Sequence, residues 1–168
     1  THCRLIVCTF IVVGSESIRM SLNNVLLAVG PGDKDRIEQM AQTLVDIAGP
    51  SDATVLLAHV FTQDEFDSTL ERMNIEDSAD VPADTVARQH ATIKTIAERL
   101  DEEDLTYEIK GAIGSHGDEI IRLATEANSD LVIVGGRKRS PTGKAVFGST
   151  AQEVMLSALC PVTFVRGD

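Results

Sequence analysis

Apolar positions along this chain follow two alternating rhythms. From Asn24 the sequence reads Val25, Leu26, Leu27, Ala28, Val29 and then Gly30-Pro31-Gly32-Asp33, a short apolar run stopped by turn residues. That is the pattern of a strand buried on both faces. Ile37, Met40, Ala41, Leu44, Val45 and Ala48 then recur at three- and four-residue spacing before Gly49-Pro50, which predicts an amphipathic helix with a terminating glycine. Residues 53–61 form a second apolar run and predict strand two. Residues 62–82 are polar, acidic and without sustained period, and read as a loop with room for one helical turn. Asp84 is expected to cap a helix whose shared face is Val86, His90, Ile93, Ile96, Ala97 and Leu100.

Residues 106–113 predict strand three, and Ser115 caps a helix through Ile120, Ile121, Leu123, Ala124 and Ala127. Leu131, Val132, Ile133 and Val134 are strand four. Thr150 begins a last helix through Val154, Met155 and Ala158, and residues 161–165 are strand five. Strict alternation of strand and helix demands crossover connections. It therefore predicts an α/β fold: an open parallel five-stranded sheet with helices on both faces, and ligands at the carboxyl ends of the strands near a switch point.

Length and composition set the scale. At 168 residues and 43% hydrophobic content the chain suits one domain with one buried core. The apolar stretch at residues 5–13 is about half the ~20 residues a membrane span needs. Met20 directly precedes the first strand pattern, so residues 1–19 read as an upstream extension and 20–168 as the functional domain, with no membrane partner. A formal charge of −11 excludes a generic nucleic-acid binder, which needs clustered Lys and Arg over a broad face. Cys3, Cys8 and Cys160 have neither zinc-site spacing nor the density of a secreted disulfide scaffold, which points to a reducing, cytoplasmic interior.

The chemistry concentrates in one segment, Val134-Gly135-Gly136-Arg137-Lys138-Arg139-Ser140-Pro141-Thr142-Gly143-Lys144-Ala145-Val146-Phe147-Gly148-Ser149-Thr150. Arg137, Lys138, Arg139 and Lys144 make a local positive patch in an acidic chain, just before a helix N-terminus whose free N–H groups favour an anion. Glycines at 135, 136 and 148 permit close backbone approach to phosphate oxygens, and Ser149 and Thr150 add hydroxyls. A purely structural reading stands beside this one: Thr150 with Glu153 forms a capping box and the glycines shape a turn. A Walker-type loop is excluded, because Lys138 stands where its first glycine belongs and Ala145 follows Lys144. A dinucleotide fingerprint is excluded as well, because after Gly30-Pro31-Gly32 the third glycine position holds Asp35.

A first strand ending in an apolar-Ala-Val turn, a second ending Ala58-His59-Val60, Gly135 spaced correctly from Gly148-Ser149, and a closing Cys160-Pro161-Val162 strand together resemble the universal stress protein family, over Asn24 to Arg166. The resemblance implies a Rossmann-like sheet ordered 3-2-1-4-5 and a stress-response role for the chain, binding ATP or a related adenine nucleotide, with magnesium as its companion and at most slow hydrolysis. It implies that Val60 meets the adenine, Gly135 the ribose and phosphates, and Gly148, Ser149 and Thr150 the phosphate chain, with Arg137 and Lys138 adding charge. Ala28, Gly30 and Val134 complete the expected nucleotide-binding set. Two positions depart from the family pattern. Lys138 replaces the second glycine of the loop, and Gly30 replaces the aspartate that usually ends the first strand. Those departures define the alternative, a nucleotide-free interaction module on the same fold.

The remaining candidates read as structural. Ser115 and His116 are adjacent in sequence and so point apart, which suits a helix cap better than a nucleophile with its base. His59 and His90 sit singly on apolar elements with no metal spacing, so no structural metal is expected. Cys160 reads as packed rather than reactive. The last strand, Val162 to Val165, is an apolar sheet edge, and both that edge and the family resemblance imply a homodimer through it.

Overall fold

The computed structural model describes residues 21–75, 80–136 and 147–166. The upstream extension and the basic side chains Arg137, Lys138, Arg139 and Lys144 lie outside the described residues. Five parallel strands, β1 (Asn24–Val29), β2 (Thr54–Phe61), β3 (Tyr107–Ile113), β4 (Leu131–Gly136) and β5 (Val162–Arg166), form one sheet ordered β3-β2-β1-β4-β5. The central strand β1 is buried from Val25 to Val29 and pairs with β2 and β4, which accounts for its unbroken apolar run.

Alternate side chains of the strands feed two cores. Val25, Leu27, Val55, Leu57, Phe61, Ile109 and Ile133 face α1 (Ile37–Ala48), α2 (Gln63–Arg72), α3 (Ala83–Gln89) and α4 (Ala91–Glu102). Leu26, Ala28, Ala58, Val60, Ala112, Val132 and Val134 face α5 (His116–Glu126) and α6 (Ser149–Ser157). Helix α1 buries Met40, Ala41, Leu44 and Ala48 on the stripe its spacing predicts, each large side chain contributing roughly 1.5–3 kcal/mol.

Four local expectations change. The polar stretch after β2 holds a full helix, α2, started by reciprocal bonds: Thr62 Oγ1 accepts from Glu65 N at 3.2 Å and Glu65 Oε2 from Thr62 N at 2.8 Å. Phe66 and Leu70, four residues apart, bury its inner edge, and two apolar positions are too few to show a period. The single helix expected after Asp84 is two, broken at His90, whose ψ of 130° leaves the helical region. Asp84 caps neither of them: Pro82 holds that place, and the Asp84 carboxylate accepts from Gly111 N at 2.7 Å, on the outer edge of β3. There α3 runs so close that a Cβ at Gly111 would collide with the Ala83 carbonyl. Finally, α6 starts one residue earlier than expected, with Gly148 as its cap residue, and the Thr150–Glu153 box does not form. The Glu153 carboxylate packs against Gly117 of α5 instead.

Candidate nucleotide site

The order β3-β2-β1-β4-β5 reverses direction between β1 and β4, and a crevice opens there beyond the carboxyl ends of the strands. Its floor is made of small residues, because Ala28 stands in register with Ala58 on one side and Val134 on the other. The resulting cleft encloses about 220 Å³. Ala28, Gly30, Val60, Val134, Gly135, Gly148, Ser149 and Thr150 all line it, so every described residue of the expected set comes together. The other two expected residues, Arg137 and Lys138, lie outside the described residues.

The wall opposite β2 is the start of α6. No side chain caps this helix, so the backbone N–H groups of its first turn remain available at the cleft, where the helix dipole is positive. Ser149 is exposed and Thr150 half-buried, which leaves both hydroxyls accessible there.

Three ionisable residues complete the lining: Asp33, Arg36 and His116. Asp33 is the informative one. The 3-10 turn Pro31–Arg36 folds its carboxylate back onto the end of β1, where Oδ2 accepts from Gly30 N at 2.8 Å. The position that lacks an acid in the sequence thus receives one from three residues on. Its Oδ1 faces Arg36 Nε at 3.6 Å, too long for a hydrogen bond, while Arg36 Nη2 donates to the Gly32 carbonyl at 3.0 Å. Burial holds the Asp33 carboxyl above the ordinary carboxylate range, against the opposing pull of the Gly30 N–H and of Arg36. Gly135 is required by this arrangement, since a Cβ there would collide with the Asp33 carboxylate.

His116 begins α5 behind Ser115, which holds the cap position without a side-chain bond. Its Nε2 lies 3.1 Å from Glu65 Oε2 and so ties the cleft to α2. Sequence reasoning missed Asp33, Arg36 and His116 as lining. The Gly-Pro-Gly-Asp string was the available signal, since a tight turn returns its last residue toward its first. Cys160 is free and half-buried, with its thiol pushed up by burial, which suits packing rather than reaction. Among the described residues no group of three or more His, Cys, Asp or Glu is arranged to hold a metal ion. No helix among them is long and apolar enough to cross a membrane.

The family model described as "Universal stress protein family" matches residues 21–166. A universal stress protein of Mycolicibacterium smegmatis is 26% identical over 90 residues, 53% of this chain and 69% of that protein. The structure of a universal stress protein from Archaeoglobus fulgidus superposes with a TM-score of 0.63 at 23% identity, covering 84% of this chain and 97% of the other. One from the same organism in complex with dAMP gives a TM-score of 0.59 at 17% identity over 86% and 98% of the two chains. A family protein of Arabidopsis thaliana with AMP bound gives 0.58 at 16% identity over 87% and 92%.

Proposed function

This chain belongs to the universal stress protein family, and from that premise we propose that it binds an adenine nucleotide in the cleft between β1 and β4 and acts as a nucleotide-responsive regulator. The observation that carries the reading is the convergence of Ala28, Gly30, Val60, Val134, Gly135, Gly148, Ser149 and Thr150 on one cleft. Structures of the same fold solved with dAMP and AMP support it. An enclosed volume of about 220 Å³ suits the nucleoside. The phosphates then extend along the uncapped start of α6.

ATP with magnesium is the form we assign, held as a ligand rather than turned over quickly. The one carboxylate lining the described cleft, Asp33, is tied to Gly30 and Arg36 and so is not free to activate water. The alternative of a nucleotide-free module rests on Gly30 and Lys138; the Asp33 carboxylate bonded to the Gly30 N–H weighs against the first, and Lys138 lies outside the described residues. The homodimer belongs to the same proposal. Strand β5 is a sheet edge, and Leu156 and Leu159 beside it are 79% and 86% exposed.

The test is calorimetric titration with ATP and magnesium, and with AMP, of the wild type and of a Gly148→Val, Ser149→Leu double variant. Saturable binding that the variant loses is the expected result. Absence of heat across the millimolar range for both nucleotides would establish the ligand-free module instead.

A further inference from the structure

Strand β2 sends alternate side chains to two clefts. Ala58 and Val60 face the nucleotide cleft, whereas His59 and Phe61 face the other side of the sheet and line a second cleft of about 500 Å³. It is walled by Pro31, by Ser68 and Arg72 of α2, and by His90 at the break between α3 and α4. The volume is that of a small-molecule pocket.

His59 is its centre. The residue is 2% exposed, yet its Nδ1 has no hydrogen-bond partner. A neutral imidazole carries one bare acceptor nitrogen, and Nδ1 is the ring nitrogen left without a partner. Burial first, and then the neighbouring His90, push its pKa down to about 3, so the imidazole is neutral at physiological pH. Buried polar atoms without partners are few in native proteins and call for an explanation. The walls around it are flat: the His90 ring lies 4.2 Å away at 31°, and the Phe61 ring 4.5 Å away at 64°.

The lining also selects by charge. Asp64 and Glu65 stand against the single cation Arg72, which disfavours an anion. A metal ion is disfavoured because the two imidazoles stack instead of converging, and among the described residues no third ligand joins them. We propose that this cleft is a second ligand site for an uncharged planar heterocycle of nucleobase or indole size. Its ring N–H is donated to His59 Nδ1 and its face lies against the His90 ring. The site lies across the sheet from the nucleotide cleft and shares only Pro31 with it, and the proposal does not depend on nucleotide binding.

Benzimidazole is the probe, with 1-methylbenzimidazole, which has no ring N–H, as the matched control. Titrated into the ¹⁵N-labelled chain and followed at the histidine ring nitrogens, benzimidazole is expected to move the His59 Nδ1 resonance saturably. The methyl analogue should bind about tenfold more weakly, the loss of one hydrogen bond. Ser68→Leu, at an exposed helix position, should close the cleft and abolish the shift without changing AMP binding. His90→Leu, which keeps a fold-neutral apolar wall but loses the stacking ring, should weaken it. An unmoved Nδ1 at millimolar benzimidazole overturns the proposal. So do equal affinities for the two compounds, or a shift confined to His116, which would put the probe in the first cleft.

Discussion

The two faces of the sheet are built from alternate residues of the same strands, yet they close in opposite ways. The face under α1 to α4 is filled by large side chains, among them Leu27, Met40, Leu44, Leu57, Phe61, Ile93 and Leu100. The face under α5 and α6 is closed by fewer side chains, Ala28, Ala58, Ala112, Ala124 and Ala151 beside Val60, Val132, Val134, Val154, Val162, Leu26, Ile120 and Leu123. Small residues at the carboxyl end of that second face leave the first cleft open, and the volume they give up is volume the core does not use. The face under α1 to α4 thus holds most of the buried apolar volume.

Substitutions test that division, beginning with the largest effect. Leu44→Ala, in the filled face, is expected to lower unfolding free energy by about 2–5 kcal/mol. Val154→Ala, its counterpart under α6, should cost roughly 1.5 kcal/mol at about 0.8 kcal/mol per methylene. Denaturant midpoints at constant slope measure both, and equal losses would break the distinction. Next comes the buried imidazole. His59 is neutral when folded but takes a proton below its ordinary pKa of 6.5 when unfolded. The unfolded state then binds more protons, so the stability His59 contributes is present above pH 6.5 and is lost as pH falls toward about 3. The slope is at most about 1.4 kcal/mol per unit. His59→Phe should flatten urea midpoints between pH 7 and about pH 5.

On the open face, Gly135→Ala drives a methyl into the Asp33 carboxylate. It should weaken AMP binding by about tenfold, the equivalent of one displaced rotamer, as read by calorimetry, while leaving Val154→Ala more destabilised than itself in denaturant. The smallest effect belongs to Asp33→Asn. Because the folded carboxyl holds its proton above the unfolded value of 3.8, the wild type loses stability as pH rises through the window just above 3.8. The Asn variant keeps an acceptor for Gly30 N and should lose that pH dependence, as read from urea midpoints across the same window.

Much of this was readable in the chain because parallel strands and amphipathic helices write strong periods. Strand β1 announces itself by five consecutive buried apolar residues, and the Gly135 to Gly148-Ser149 spacing named three residues of the first cleft, the rest of the expected set coming with the family resemblance. The unread parts have physical reasons. Helix α2 buries only Phe66 and Leu70, so its acidic surface hid it. The break at His90 leaves the helical phase of Val86, Ile93 and Ile96 unchanged, so no period marks it. The return of Asp33 to Gly30 depends on a turn, and turns are set by backbone angles that composition constrains weakly. The second cleft needs His59 and His90 together, 31 residues apart in sequence and in ring contact in the fold.

The blocked edge of β3 bears on how many copies can join. With the Gly111 N–H already taken by Asp84, and Lys110 paired to Glu108 at 2.9 Å, that edge offers an incoming strand little to bind. A sheet with two open edges could extend without end, copy upon copy. In the proposed dimer, β5 paired to β5 across a two-fold axis would leave only β3 edges at the two ends, and growth would stop at two.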